Sequence, residues 1–379
     1  MLKKYSLLTL GLALQICALA QPKKFTVTAY YAGDTVQMNN YNTAKFTHII
    51  FSFCHLNGSR LWVNNARDTL RIQRLVALKE KSPKLKVLLS LGGWGGCATC
   101  SDVFSTDSGR KEFASSVKEV NTFFGTDGID LDWEYPTVPG YPGHAFSPQD
   151  RPNFTALIKT LRDSLGRKNE ISFAAGGFQK FIDEAVDWKG IMPLINRINV
   201  MTYDLVSGYA TATGHHTPLY STTQQKESTH NAVTALLKKG VPASKIVIGA
   251  AFYGRVWDSV AAVGNGLYQA GKFKAYVPFK NFDSVYSESQ GFVRYWDEAA
   301  KAPYLYNSAS GQYVTYDDKQ SLTEKTKYAL RKGLNGIMFW ELSHDVASDG
   351  LLDAIDAARQ VKKPRLAKPR RKGQSSNSK

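Results

Sequence analysis

Three acidic residues alternate with apolar residues in residues 127–136, which read DGIDLDWEYP. Asp130, Asp132 and Glu134 recur at every second position between a glycine and a proline, a pattern that predicts a β-strand. Because alternate side chains of a strand share one face, the three carboxyl groups form a column with steps of about 6.6 Å. Mutual repulsion and partial burial raise the proton affinity of at least one of them, and such a group can act as a general acid. Glu134, nearest the carboxyl end of the strand, is the predicted proton donor.

The same spacing is compatible with two other roles. A D-x-D-x-E run can bind a divalent cation, and it can also be a charged strand end in solvent. The sequence around the motif favours a catalytic role over both.

Further short apolar runs are predicted to be strands, with helical patterns in most of the gaps between them. They are residues 25–31, 47–53, 86–93, 171–175, 198–203, 246–252 and 336–340. Parallel strands linked by helices are buried on both faces, which fits continuous apolar runs. With the acidic strand they predict an α/β fold, a (β/α)8 TIM barrel, whose active site lies at the carboxyl ends of the strands, where Glu134 falls.

The interval between the last two predicted strands is much longer than one crossover helix requires. It holds aromatic, strand-like pieces separated by turn signals such as Ser310-Gly311. A structureless loop of about 60 residues is uncommon within a compact domain. We therefore predict a small α+β insertion between strands 7 and 8, over residues 256–318, that forms one wall of a cleft.

Both ends of the chain are predicted to lie outside the barrel. Residues 1–20 combine a basic start, an apolar stretch and an Ala-x-Ala site, as in a secretory signal peptide, although Cys17 leaves a lipid anchor as an alternative. Residues 21–361 are the predicted catalytic domain, and residues 362–379 a basic, disordered tail. No later run is long enough to span a membrane. We expect a secreted protein, either extracellular or periplasmic.

The net charge of +16 is concentrated at the chain ends. The tail contains eight lysine and arginine residues and neither acidic nor aromatic residues. Without interleaved aromatic residues it does not predict nucleic-acid recognition, although binding to an anionic polymer stays open. Among the cysteines, Cys97 and Cys100 are predicted to form a local disulfide in an oxidising compartment, and Cys54 to be a buried free thiol.

The motif Asp127-x-x-Asp130-x-Asp132-x-Glu134 resembles the signature of glycoside hydrolase family 18, the chitinase family. Other matches follow in the family's order within residues 25–361: Tyr30-Tyr31, Ser90-Leu-Gly-Gly93, Met201-Thr-Tyr-Asp204, Tyr253-Gly-Arg255, the insertion and Trp340. One departure from the family pattern follows Asp204, where the chain reads Leu-Val-Ser-Gly-Tyr209 and relatives often carry a tryptophan. It leaves the details of sugar stacking there open.

The resemblance implies a retaining, substrate-assisted hydrolysis without metal or cofactor. The 2-acetamido oxygen of the substrate attacks the anomeric carbon to give an oxazolinium intermediate, while Glu134 protonates the leaving oxygen and then deprotonates water. Asp132 orients the acetamido N–H, and Asp130 shares a proton with it. Tyr203 hydrogen-bonds the acetamido carbonyl.

The resemblance also implies a set of substrate-binding residues. Asp204 and Arg255 grip the sugar at the cleavage point, Trp340 stacks beneath it, and Trp94 is a neighbouring platform. The set is completed by Tyr30 and Ser90, which support Asp130, and by Met201 of the Met-Thr-Tyr-Asp motif. Asp127 and Trp133 are expected to be structural.

We expect a monomeric chitinase that acts on β-1,4-linked N-acetylglucosamine polymers or oligosaccharides, with no nucleic-acid partner. One alternative is an endo-β-N-acetylglucosaminidase acting on N-glycans, although such relatives usually lack the insertion. The other is a chitin-binding lectin on an inactive barrel, although such relatives have usually lost the acid corresponding to Glu134.

Overall fold

The structure is a computed structural model, and it describes residues 25–360. The predicted signal peptide and basic tail therefore lie outside the described residues. In chain order the strands are β1 (Thr26–Tyr31), β2 (His48–Asn57), β3 (Arg60–Trp62), β4 (Lys86–Gly92), β5 (Gly128–Asp132), β6 (Glu170–Gly176), β7 (Arg197–Met201), β8 (Ile246–Ala251), β9 (Tyr253–Asp258), β10 (Lys272–Pro278), β11 (Val293–Asp297), β12 (Ala302–Asn307), β13 (Gln312–Thr315) and β14 (Gly336–Trp340).

The helices lie mostly between barrel strands. They are α1 (Ala66–Lys81), α2 (Cys100–Ser105), α3 (Asp107–Phe124), α4 (Asp150–Leu165), α5 (Gln179–Glu184), α6 (Trp188–Ile191), α7 (Thr229–Lys238), α8 (Phe282–Val285), α9 (Lys319–Arg331) and α10 (Leu351–Gln360). Several start at a residue whose side chain accepts a hydrogen bond from a free backbone N–H of the first turn. These caps are Asn65, Thr106, Ser228 and Asp318. Within residues 25–360, no helix is long and apolar enough to cross a membrane.

Within the described residues, eight parallel strands close into a barrel, which confirms the predicted (β/α)8 fold. Their order is β1–β14–β8–β7–β6–β5–β4–β2, and pairing of β2 with β1 closes the circle. Side chains alternate between the barrel interior and the helix layer. On β5, Ile129 and Leu131 join the core beneath the helices. Trp133 follows them into that layer, as expected, and packs against Phe104 and Phe154.

A second sheet stands between the last two barrel strands, as predicted. It is antiparallel, with the order β10–β9–β13–β12–β11. Its first strand begins at Tyr253, three residues before the predicted boundary at Val256. Only Phe252 separates β8 from β9, so the chain leaves the barrel without a loop. Tyr253 and Arg255 therefore belong to the wall rather than to the barrel.

Candidate active site

The acidic motif lies at the mouth of the barrel. Asp130 and Asp132 are on β5, whereas Glu134 follows the end of the strand, so the predicted column continues into a loop. The pairing of β5 with β4 ends at Asp132, because its partner Gly92 is the last residue of β4. The three acids are only 0%, 4% and 9% exposed. Burial of three neighbouring carboxyl groups makes their ionisation unfavourable unless each has a partner.

Asp130 has such partners on four other strands. The hydroxyls of Tyr30 (2.9 Å) and Ser90 (3.0 Å) donate to its Oδ2 atom. Ser172 Oγ (2.6 Å) and Asn199 Nδ2 (3.0 Å) donate to its Oδ1 atom. Burial raises the pKa of Asp130, and the four donors oppose this rise. These donors also occupy the lone pairs that a cation would need, which disfavours the metal-binding alternative for this residue.

Asp132 has the opposite environment. Its Oδ1 atom is buried and has no hydrogen-bond partner among residues 25–360. Burial first, and then the charges of Glu134 and Asp130, raise the pKa of Asp132 well above its usual value. The pKa of both aspartates is thus raised, but only for Asp130 do hydrogen-bond donors oppose the rise.

Glu134 is protonated close to neutral pH. Burial, opposed by a hydrogen bond with Tyr135 and aided by the charge of Asp204, raises the pKa of Glu134 to about 7. A general acid is most effective when its pKa lies near the working pH. Glu134 is thus equipped to donate a proton near neutrality.

The approach of β4 to Asp132 requires glycine. Gly92 has a φ of +110°, and a Cβ atom there would lie 2.2 Å from the carbonyl oxygen of Asp132. The backbone N–H of Gly93 donates to that same oxygen at 2.9 Å. The double glycine after Ser90 thus lets two strand ends meet beside the acids.

Tyr203 faces the acids just after the end of β7. Its ring is buried, and its hydroxyl contacts the Sδ atom of Met338 at 3.8 Å. Burial, followed by the charges of Asp132 and Glu134, raises the pKa of Tyr203 well above its usual value. Met201 lies in the same buried apolar cluster of the barrel interior as Tyr203. The tyrosine hydroxyl therefore remains protonated and available as a donor.

Asp204 forms a second charged group beside Tyr203. Its Oδ1 atom accepts hydrogen bonds from Tyr253 Oη (2.7 Å) and Arg255 Nε (2.5 Å). Burial alone would raise the pKa of Asp204, but His216 and Arg255 lower it below the usual range. The residue has a φ of +57°, in the left-handed region that is uncommon for non-glycine residues. The barrel mouth and the inserted wall thus meet at one ionised carboxylate.

Aromatic surfaces line the remainder of the mouth. Trp340, half-buried at the end of β14, stacks on Phe53 with ring centroids 5.4 Å apart and lies 5.9 Å from Tyr30. Trp94 is 47% exposed and packs edge-on against Tyr141. One ring is thus close to the acids, and the other is open to solvent beside the double glycine.

The remaining sequence predictions concern structure. Asp127, at the amino end of β5, accepts hydrogen bonds from Lys86 Nζ and from the backbone N–H of Val87, consistent with a structural role. Cys97 and Cys100 form a disulfide. Cys54 is a buried free thiol, and burial raises its pKa.

Four residues of the site were not selected from the sequence. Ser172 and Asn199 are isolated polar residues within the apolar runs of β6 and β7, and this is the signal that marks them. Tyr253 was noted only as part of a motif. His216 lies in the long segment between β7 and α7 and carries no recognisable local signal.

Comparisons with known proteins converge on one family. The family model described as "Glycosyl hydrolases family 18" matches residues 26–345. Chitinase A1 of Niallia circulans is 36% identical over 302 residues, which are 72% of this chain and 42% of the relative, so the match spans less than half of that protein. Mouse chitotriosidase-1 is 33% identical over 317 residues, 79% of this chain and 67% of the relative.

A solved structure gives the same result. A glycoside hydrolase family 18 N-acetylglucosaminidase from Paenibacillus barengoltzii superposes with a TM-score of 0.80 at 36% sequence identity. The match covers 88% of this chain and 100% of that one. The similarity therefore includes both the barrel and the inserted wall.

Proposed function

The chain belongs to glycosyl hydrolase family 18 and is a glycoside hydrolase, and from this premise we propose that it is a chitinase. The proposed substrates are chitin and its oligosaccharides, cleaved at β-1,4 linkages between N-acetylglucosamine units. The two curated relatives described above are themselves named as a chitinase and a chitotriosidase.

The observation that carries the proposal is the difference in hydrogen bonding between Asp130 and Asp132. Asp130 receives four hydrogen bonds, whereas Asp132 has a buried oxygen without a partner in the described structure. An unpaired buried polar atom is costly, so it calls for an explanation. The N–H of a substrate acetamido group, held above Asp132, would supply the missing hydrogen-bond donor.

The proposed reaction begins at Glu134. Its carboxyl proton goes to the glycosidic oxygen as the bond from that oxygen to the anomeric carbon breaks. The acetamido carbonyl oxygen of the same sugar forms a new bond to that carbon, which gives an oxazolinium ion. Glu134, now ionised, takes a proton from water, and the resulting nucleophile opens the ring. Two displacements at one carbon retain its configuration.

Asp132 and Tyr203 hold the attacking group in this scheme. Asp132 accepts the acetamido N–H and stabilises the positive charge that develops on the oxazolinium ring. The Tyr203 hydroxyl donates to the acetamido oxygen and fixes its approach. Asp130, held by Tyr30 and Ser90, modulates the charge on Asp132. Holding the nucleophile in an attacking geometry accelerates the reaction by avoiding the entropy loss of a bimolecular encounter.

The surrounding residues bind the sugar chain in the same proposal. Asp204 and Arg255 contact the sugars on either side of the cleaved bond. Trp340 stacks against the apolar face of the reacting sugar, and Trp94 supports a more distant unit. Met201 shapes the pocket beside Tyr203. Aromatic rings suit this task because carbohydrate rings present apolar C–H faces.

Replacement of the acid tests the proposal. Glu134→Gln is expected to lower turnover of chitin oligosaccharides by at least about 10⁴-fold, the upper range for general acid–base catalysis, while oligosaccharide binding persists. Glu288→Gln, an exposed glutamate on the insertion, is the control and should retain full activity. Wild-type turnover by Glu134→Gln would exclude the assigned role. Proton NMR of fresh wild-type products should show the β-anomer first; an initial excess of α-anomer would exclude the oxazolinium route.

A second candidate function follows from the similarity to the Paenibacillus N-acetylglucosaminidase. In this alternative the enzyme is an endo-β-N-acetylglucosaminidase that cleaves within the chitobiose core of N-glycans. The inserted sheet adds a wall that suits a linear polymer, but the similarity to the Paenibacillus enzyme includes that wall, so the names of the two chitin-cleaving relatives are what favour the chitin reading. Rates on chitin oligomers and on an N-glycosylated protein, measured side by side, distinguish the two.

We also propose that the protein is exported as a monomer. Residues 1–20 support this through their signal-peptide pattern. Amino-terminal sequencing of the exported protein should start at Gln21, and light scattering should give a single-chain mass. A retained leader or a lipid on Cys17 would contradict it.

A further inference from the structure

His216 is a buried histidine at the back of the substrate-binding carboxylate, and the mechanism above leaves it without a role. It is fully buried. Its backbone is fixed on two sides, because its N–H donates to Thr315 Oγ1 at 3.1 Å and its carbonyl accepts from the N–H of Leu205 at 3.0 Å. The imidazole is thereby held between the insertion and the residue that follows Asp204.

The ring of His216 is unusual in having no well-formed hydrogen bond. Neither ring nitrogen has a partner of good geometry among residues 25–360. The Nδ1 atom lies 3.4 Å from Asp204 Oδ1, at the long end of hydrogen-bonding distance. Buried polar groups without partners are rare because each one destabilises the folded state. A small rotation of the Asp204 carboxylate would complete this contact.

Asp204 presents its two oxygens in different ways. The hydrogen bonds and ion pairs that it makes within the described structure all reach Oδ1, from Tyr253, Arg255 and His216. Oδ2 takes part in none of them. The residue is also held at a positive φ, which requires support from its surroundings. Three groups on one side of the carboxylate therefore leave the other oxygen for a ligand.

We propose that His216 is a positioning residue that donates its Nδ1–H to Asp204 Oδ1 and so keeps Oδ2 directed toward the sugar. The inference rests on the proposed function, because it assigns His216 a role in binding the same substrate. His216 does not touch the substrate. It acts through Asp204, together with Tyr253 and Arg255.

The charges around His216 are consistent with a neutral ring. Asp204, Arg255 and Tyr253 face it on one side, and Asp317, which is paired with Lys325, faces it from the end of the insertion. Burial lowers the pKa of His216 below its usual value, although both aspartates oppose the shift. A neutral imidazole carries one N–H, and only the tautomer with that hydrogen on Nδ1 can donate to Asp204.

Two substitutions of His216 test which of the two ring nitrogens is needed as a hydrogen-bond donor. The amide nitrogen of His216→Asn falls near the position of Nδ1, whereas that of His216→Gln falls near Nε2. Both variants are polar and of similar size, so they perturb the core to a similar degree. His215→Asn is the matched control, since His215 is equally buried but pairs through Nε2 with Asp297 at 3.0 Å, away from Asp204.

The assay is kcat/KM on a chitin oligosaccharide as a function of pH, with thermal unfolding measured for each variant. His216→Asn should stay close to wild type. His216→Gln should lose about tenfold in kcat/KM, mainly through KM, because a hydrogen bond to a charged group is lost. Its acidic limb should not move, because Arg255 still lowers the pKa of Asp204 below the usual range. The basic limb, set by Glu134, should not move either.

The same comparison is repeated for oligosaccharide affinity in the Glu134→Gln background, which needs no turnover. Equal kcat/KM, KM and affinities for the Asn and Gln variants would overturn the inference, as would an equal effect of His215→Asn. A wild-type protein that neither binds nor cleaves chitin oligosaccharides would overturn the proposed function and this inference with it. If cleavage depends on Glu134 but His216→Asn and His216→Gln give the same kcat/KM and affinity, this inference alone would be overturned.

Discussion

At the scale of single residues, the site is defined by how many hydrogen-bond donors each carboxyl group receives. Asp130 and Asp132 are two residues apart and both buried, yet one has four donors and the other has an unpartnered oxygen within the described structure. The difference arises because strands β1, β4, β6 and β7 place polar side chains at the level of Asp130. The Oδ1 atom of Asp132 has no such donor, and a buried oxygen without a hydrogen bond lowers the stability of the folded protein.

That cost predicts a pH-dependent gain in stability for Asp132→Asn. The pKa of Asp132 is raised in the folded protein, so its contribution to stability is fully present below the unfolded value of about 3.9 and is lost as the pH rises. The variant should match the wild-type melting temperature near pH 4 and exceed it increasingly toward pH 8. The gain is about 1.4 kcal/mol for each unit by which the pKa is raised. Thermal unfolding across pH measures it, and a constant difference at every pH would contradict the assignment.

Tyr203→Phe tests the partner of the proposed nucleophile. The hydroxyl contacts only a methionine sulfur at 3.8 Å in the described structure, so its removal should change the melting temperature little. Turnover of chitin oligosaccharides should fall by roughly 10²-fold, the scale for loss of one oriented donor. Unchanged kcat would show that Tyr203 does not hold the acetamido group. Met338→Leu, which alters the same contact without removing the hydroxyl, is the control.

At the scale of elements, a buried ion pair lies at the junction between the insertion and the barrel. Lys325 on α9 contacts both oxygens of Asp317 and the hydroxyl of Thr217. Asp317 also accepts from the N–H of Ala251, the last residue of β8, and from Ser321. Both members of the pair are buried. The end of the insertion is thereby attached to a barrel strand and to the loop beneath Tyr203.

Lys325→Met should be strongly destabilising, because it leaves the charge of Asp317 buried without compensation. The expected loss is about 3–5 kcal/mol in the free energy of unfolding. Asp317→Asn added to Lys325→Met should recover most of this loss, since the amide oxygen can still accept from Ala251. Chemical denaturation measures both, with the exposed Lys327→Met on the same helix as control. Additive effects of the two substitutions would contradict this view of the pair.

At the scale of the whole molecule, barrel and wall are attached at several separate points. The N–H groups of Leu219 and Tyr220 both donate to the carbonyl of Ala300. Ala212 forms a bridge with Ala270, and His215 reaches Asp297. The segment between β7 and α7 thus contacts the insertion at these points, which makes the wall a fixed part of the cleft.

These attachments predict that the insertion and the barrel unfold together. Far-ultraviolet circular dichroism reports the helices around the barrel, and the near-ultraviolet signal includes the tyrosines and tryptophans of the insertion. Both signals should give one melting temperature, as expected for a single cooperative unit. An aromatic transition that clearly precedes loss of helix would show that the wall unfolds separately.

Much of this architecture could be predicted from sequence because it depends on local patterns. Strand runs and helix periodicities predicted the barrel, the excess length before β14 predicted the insertion, and the family signature identified the acids. The first strand of the inserted sheet begins at Tyr253, ahead of the predicted start of the insertion at Val256, and the single residue between β8 and β9 leaves no turn signal. The end of β5 before Glu134 was also missed, since pairing with neighbouring strands, not composition, decides where a strand stops.

Local patterns were sufficient to predict the barrel strands and the acidic motif, since each of these is a property of adjacent residues. Which acid receives hydrogen-bond donors and which is left open depends instead on residues far apart in the chain. Ser172 and Asn199 lie 42 and 69 positions from Asp130, and His216 follows Asp204 across a long segment. Closure of the barrel brings such residues together, and burial then turns their proximity into shifted proton affinities.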